Sequence, residues 1–130
     1  MKLMTKALEQ EFEQIGMQRD IKDPQVITKY FHPLHPSATW YASEYNPETR
    51  NFYGFVEGLI PGGDEWGYFS LDELESINMK GLKMERDLFH IKQPISKCCH
   101  SPFLNTQPSL SPKREKDEIP KLGNDVDIDI

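Results

Sequence analysis

Met4, Leu8, Phe12 and Ile15 recur at intervals of four, four and three, with Lys6, Glu9, Gln10, Glu11, Glu13 and Gln14 between them. That spacing predicts an amphipathic helix over residues 5–15, with Thr5 as its N-cap and Gly16 as its stop. Residues 20–24 form a polar connector, because Asp23 precedes a proline and is biased away from helical backbone. The period then shortens. Residues 25–31, 38–45, 51–59 and 65–69 are rich in β-branched and aromatic types and predict four strands. Asn46-Pro47-Glu48-Thr49-Arg50 joins the second to the third at hairpin length, and Pro61-Gly62-Gly63-Asp64 turns the third into the fourth.

Ser70-Leu71-Asp72-Glu73 has the form of a capping box, so a second helix is expected to start at Ser70. Leu71, Leu74 and Ile77 give it a buried edge, and Gly81 offers a terminating residue with positive φ. A further short strand or extended segment is expected over residues 84–91. Eleven of the fourteen aromatic residues lie between Tyr30 and Phe69, which points to a sheet with an aromatic face packed on helix. The expected fold class is α+β: a small antiparallel sheet, an N-terminal helix, a second short capped helix and a disordered C-terminal tail.

Composition sets the domain limits. Residues 97–130 carry 10 apolar residues in 34, whereas residues 1–96 carry 38. Prolines at 102, 108, 112 and 120 punctuate the later segment, which buries too little to offset its ordering entropy. One domain is therefore expected over residues 1–96 and a mostly disordered tail over 97–130. Within that tail Asp125-Val126-Asp127-Ile128-Asp129-Ile130 alternates acid and apolar residues, which suits either a frayed terminus or a strand added to a sheet edge.

Charge narrows the classes of partner. The chain has 15 Lys and Arg against 21 Asp and Glu, a formal net charge of −6, and no basic cluster that would neutralise nucleic-acid phosphates. No apolar run approaches the roughly 20 residues of a membrane-spanning helix, and the opening Met1-Lys2-Leu3-Met4-Thr5-Lys6 lacks a signal-peptide core. A cytoplasmic protein that binds neither nucleic acid nor membrane is the expectation.

Candidate chemistry is incomplete wherever it is sought. His32-Pro33-Leu34-His35 places two imidazoles three apart, but zinc or iron needs a third protein ligand and none stands at a diagnostic spacing. Cys98 and Cys99 are adjacent, form no disulfide framework and have no second pair with which to bind zinc, so they are expected to be surface thiols. Gly62-Gly63 is followed by Asp64 and Glu65, which would repel a phosphate. Glu44 and Glu57 lie on adjacent predicted strands, where a close pair could supply an acid and a base; solvent-facing acids are the commoner outcome on such a sheet. In Glu85-Arg86-Asp87, Arg86 is placed to bridge the sheet and the capped helix.

Several segments together resemble a known family. Lys29-Tyr30-Phe31, Thr39-Trp40-Tyr41-Ala42-Ser43-Glu44-Tyr45-Asn46-Pro47-Glu48, Gly54-Phe55-Val56, Gly67-Tyr68-Phe69-Ser70-Leu71-Asp72-Glu73-Leu74, and Gly81-Leu82 with Glu85-Arg86-Asp87-Leu88 occur in the order and spacing of DUF2958, a bacterial domain of unknown function. The resemblance runs from about Val26 to Pro94. It implies a small protein of conjugative plasmids, integrative elements and other mobile DNA, and it brings no catalytic residue with it.

Two classes of function follow. The first is a non-enzymatic accessory factor without cofactor or metal that docks on a protein partner with a basic surface, such as nucleic-acid-binding or defence machinery of a host. Its expected contact residues are Trp40, Glu44, Glu57, Asp64, Glu65, Trp66 and Glu73, acids for steering and aromatics, with Tyr45, for anchoring, although core packing is the commoner job for most such aromatics. The alternative is a small enzyme that uses the Glu44 and Glu57 carboxylates or a metal at His32 and His35.

Overall fold

The computed structural model describes residues 1–106. In chain order the elements are α1 Lys6–Ile15, β1 Gln25–Val26, β2 Thr28–His32, β3 His35–Asn46, β4 Asn51–Glu57, β5 Glu65–Ser70, α2 Leu71–Ser76, β6 Asn78–Met79, β7 Leu82–Lys83, β8 Glu85–Arg86 and β9 Gln93–Pro94. The main sheet is antiparallel and ordered β5-β4-β3-β2-β8, flanked by the two-stranded ladders β1-β9 and β6-β7. The fold is α+β. Among the described residues no helix is long and apolar enough to cross a membrane.

Both helix starts follow their local chemistry. The Thr5 hydroxyl accepts the Leu8 N–H at 3.2 Å, and Gly16, at φ 69°, closes α1 by donating its N–H to Phe12 O. At α2 the Ser70 hydroxyl accepts the Glu73 N–H at 3.1 Å, satisfying one of the donors that a helix start leaves without a partner. The β3–β4 turn closes on the Asn46–Asn51 pair, with the Asn46 side chain accepting the Glu48 N–H at 2.9 Å.

Three expectations about elements are corrected. The strand predicted over residues 25–31 is two strands in different ladders, because β1 pairs with β9 and β2 with β3. Gly81 does not end α2, which stops at Ser76. It forms with Lys80 the two-residue turn between β6 and β7, both residues at positive φ as tight hairpins require. The change of composition at Ser96 does not coincide with the end of packing: Cys99 is 2% exposed and Ser101 6%. Residues 107–130, including the alternating segment at 125–130, lie outside the described residues.

That extra packing makes the sheet two-faced. On one side Trp40, Ala42 and Phe52 meet Phe12 of α1 and Leu71 and Leu74 of α2. On the other, Tyr41, Tyr53, Phe55 and Trp66 meet Ile95 and Cys99, with Leu104 packed against them. Every residue from Trp40 to Glu44 is consequently buried, the signature of a strand covered on both faces. Trp66 donates its indole N–H to Leu104 O at 2.9 Å, and the Ser101 hydroxyl donates to Asp64 at 2.6 Å, so the covering segment is held by polar contacts as well as apolar ones.

Candidate functional site

Along β3 the register with β4 slips between Ala42 and Glu44, leaving one extra residue in β3. Ala42 opposes Gly54, but it is Glu44 that opposes Tyr53. Without the bulge Glu44 would pair with Phe52 and point into the apolar layer beneath α1. With it, the carboxylate turns to the Tyr53 face. Glu44 is 8% exposed, and a buried carboxylate is tolerable only with hydrogen bonds and a counter-charge.

Both come from the connector after α1. Gln18, 1% exposed, gives its backbone N–H to Glu44 Oε2 at 2.7 Å. Its side-chain amide donates to Ser43 O and Gln25 O and accepts the Gln25 N–H, which ties the connector to the bulge and to β1. Arg19 then meets Glu44 edge-on, Nε to Oε2 at 3.4 Å and Nη2 to Oε1 at 3.2 Å. Its guanidinium carbon stands 5.5 Å from the Tyr53 ring centre and 5.4 Å from that of Tyr68, and Nη1 donates to the Tyr68 hydroxyl. The two rings are themselves cross-strand partners in edge-to-face contact, with centroids 5.2 Å apart. Burial pushes the Tyr53 phenol above its ordinary range, with Arg19 pulling the other way.

This constellation lies in a cleft of about 700 Å³ between the end of α1, the β3–β4 turn and the end of the sheet. Glu9 and Glu13 line it from α1, Tyr45 and Asn46 from β3, and Asn51 from β4. Three carboxylates and one guanidinium thus line the cleft, and three tyrosine rings supply polarisable surface.

Of the residues expected to make contacts, only Glu44 and Tyr45 belong to this cleft. Trp40 and Trp66 are each 9% exposed and serve one core apiece, so of the two roles weighed for them the structure shows core packing. Glu57 does not oppose Glu44. It pairs in register with Thr39, accepts the Tyr41 hydroxyl at 2.8 Å and lies 3.5 Å from the Cys99 sulfur. Asp64 holds the Gly58 N–H at 2.8 Å and the Ser101 hydroxyl. Glu65 and Glu73 are exposed at separate places, the start of β5 and the first turn of α2. Beside Glu73, Arg50 takes Asp72 at 2.7 Å and Glu75 at 2.9 Å, which weakens the acidic field of that patch.

His32, 2% exposed, accepts the Leu34 N–H at Nδ1 and faces Leu82 O with Nε2 at 2.9 Å, so both ring nitrogens are committed within the fold. His35 is its strand neighbour across the β2–β3 turn. Among the described residues no three His, Cys, Asp or Glu side chains converge as a metal requires. Cys99 is not a surface thiol: burial pushes it up to about 11, and its sulfur lies within the second core. In the 85–87 segment the ion pair is Lys29 with Asp87, at 3.7 Å, in place of the bridge expected from Arg86.

Sequence reasoning missed Gln18, Arg19, Tyr53 and Tyr68. The alternation of aromatics at 53 and 55 and at 66 and 68 does mark one face of two neighbouring strands. Nothing local marks Arg19, because its partner is selected by a bulge 25 residues away.

No curated protein and no solved structure matches the chain. A family model described as "Protein of unknown function (DUF2958)" matches residues 2–101, a span that takes in α1 and the covering segment as far as Ser101. The chain therefore belongs to the DUF2958 family.

Proposed function

We propose that this chain is a non-enzymatic, acidic accessory factor, carried on mobile DNA as the family resemblance implies, and that it works by binding a protein partner that presents a basic surface. One observation carries the reading: a cleft of about 700 Å³ is lined by Glu9, Glu13 and Glu44, with Arg19 as the cation among them and tyrosine faces beside them. Carboxylates at the rim of a cleft steer a basic partner towards it, and aromatic faces hold cationic side chains once water is displaced. The acidic balance of the whole chain acts in the same direction at longer range.

The test is affinity capture from host cells, comparing the natural chain with the double variant Glu9→Lys, Glu13→Lys. Glu13 is exposed and Glu9 partly so, both on α1, so the reversal should leave the thermal midpoint nearly unchanged. Capture of a defined basic protein at about 50 mM salt that is lost near 0.5 M, and lost in the variant, is the expected result. Recovery indifferent to both salt and charge reversal would remove the cleft as the docking surface.

A further inference from the structure

Within the cleft, the chain's own Arg19 occupies what is geometrically a complete receptor for a guanidinium. The Glu44 carboxylate offers two oxygens in one plane, fixed by the Gln18 N–H at 2.7 Å and by the β3 bulge. The Tyr53 and Tyr68 rings lie 5.5 and 5.4 Å from the guanidinium carbon. A planar fork matched to a carboxylate and laid against rings is the recognition that arginine makes and that the compact, rotating ammonium of lysine does not.

The occupant is loosely housed by comparison with its receptor. The Arg19 side chain is 28% exposed and that of Glu44 11%. Arg19 projects from the connector between α1 and β1, and the main-chain tie of that connector is made by Gln18 and not by Arg19 itself. Withdrawal of the guanidinium therefore breaks no helix or strand hydrogen bond. It leaves a largely buried carboxylate without a counter-charge, a state that strongly favours entry of another cation.

We propose that Glu44, Tyr53 and Tyr68 form an arginine-binding site that Arg19 fills in the free protein, and that an arginine side chain of the partner displaces it on docking. The inference rests on the cleft reading above and deepens it: Glu9 and Glu13 attract the basic segment, and the exchange at Glu44 selects arginine over lysine. Affinity is tempered because the incoming arginine must compete with a tethered one, whose effective concentration is high.

The probe is N-acetyl-L-arginine amide, with N-acetyl-L-lysine amide as its comparison, titrated into the natural full-length chain, Arg19→Ala, and Arg19→Ala combined with Glu44→Gln. Ring-proton NMR shifts of Tyr53 and Tyr68 give the readout. Arg19→Ala should bind the arginine probe saturably in the roughly millimolar range and at least about tenfold more tightly than the natural chain does. The lysine probe should bind more weakly, and the combined variant should lose the response. If Arg19→Ala does not unfold cooperatively, Arg19→Lys takes its place, since it retains a charge but cannot form the fork. A folded variant with no saturable response, or a response equal in all three chains, overturns the proposal. Salt-sensitive capture of a partner persisting alongside that failure would leave the cleft reading standing and remove only the exchange.

Discussion

Cys99 shows how far a residue's role depends on what covers it. In the sequence it is half of an adjacent pair and legibly not a disulfide, since neighbouring cysteines do not reach the required geometry. Its burial was not legible, because it arises only when residues 95–104 fold back over the sheet. Burial raises the thiol to about 11 from an ordinary 9.0, with the nearby Glu57 carboxylate adding to the effect. The unfolded thiol thus ionises first as pH rises, and the unfolded state is the one that gains. The contribution is complete below pH 9.0 and is lost between there and about 11. Urea unfolding of the natural chain and Cys99→Ala across that window should show the stability gap between them shrinking by roughly 1–3 kcal/mol. A gap that stays constant would mean that the folded state does not hold the proton. Gln18 illustrates the opposite limit of legibility: a polar residue in a polar connector proves to be 1% exposed, held by hydrogen bonds to the Glu44 carboxylate and to the backbone of Ser43 and Gln25.

Elements whose signals are local were readable, and those that depend on a distant strand were not. The N-caps at Thr5 and Ser70, the 46–50 turn and the periodicity of α1 each rest on residues within a few positions of one another. The split between β1 and β2 depends on β9, whose Pro94 and Gln93 pair with Gln25 and Val26 from far along the chain, and the β3 bulge depends on which β4 residue each side of it meets. Gly54 stands at that irregularity, opposite Ala42, and its lack of a side chain is what lets the strands approach. An added Cβ would overlap the Tyr41 carbonyl oxygen and lie 2.9 Å from its carbon, both backbone atoms that no rotamer change can move. Gly54→Ala should therefore cost about 3 kcal/mol or more, the upper end of what overpacking costs. Denaturant midpoints measure it, and the same substitution at Gly67, whose Cβ would meet nothing within 4 Å, is the control expected to be mild. Equal effects at the two glycines would show that close approach is not what Gly54 provides.

At the scale of the whole molecule the sheet is the middle of three layers, with helices on one face and the segment from Gln93 to Thr106 on the other. Composition misplaced the third layer because residues 97–106 contain only Cys98, Cys99, Phe103 and Leu104 as apolar types, too few to predict packing from their own pattern. The signal was in the strand they cover: Trp40-Tyr41-Ala42 is a continuous apolar run, which a sheet facing water on one side would not need. The consequence is a large and specific effect of truncation. Ending the chain after Ser96 removes Cys99 and Leu104 from the second core, uncovers Tyr41, Phe55 and Trp66, and leaves the Trp66 N–H and the Asp64 carboxylate without the partners they hold at 2.9 and 2.6 Å. Lost apolar burial and two forfeited hydrogen bonds together should remove at least about 2 kcal/mol, which lowers the thermal midpoint by roughly 10 °C for a domain of this size. Trp40 stays enclosed on the helical face, so the fluorescence change on truncation should be a red shift attributable to Trp66, separable from Trp40 by a Trp40→Phe background. A truncated chain with an unshifted midpoint and unchanged emission would show that the third layer contributes nothing to the fold; a shifted midpoint with native-like secondary structure would place residues 97–106 inside the domain.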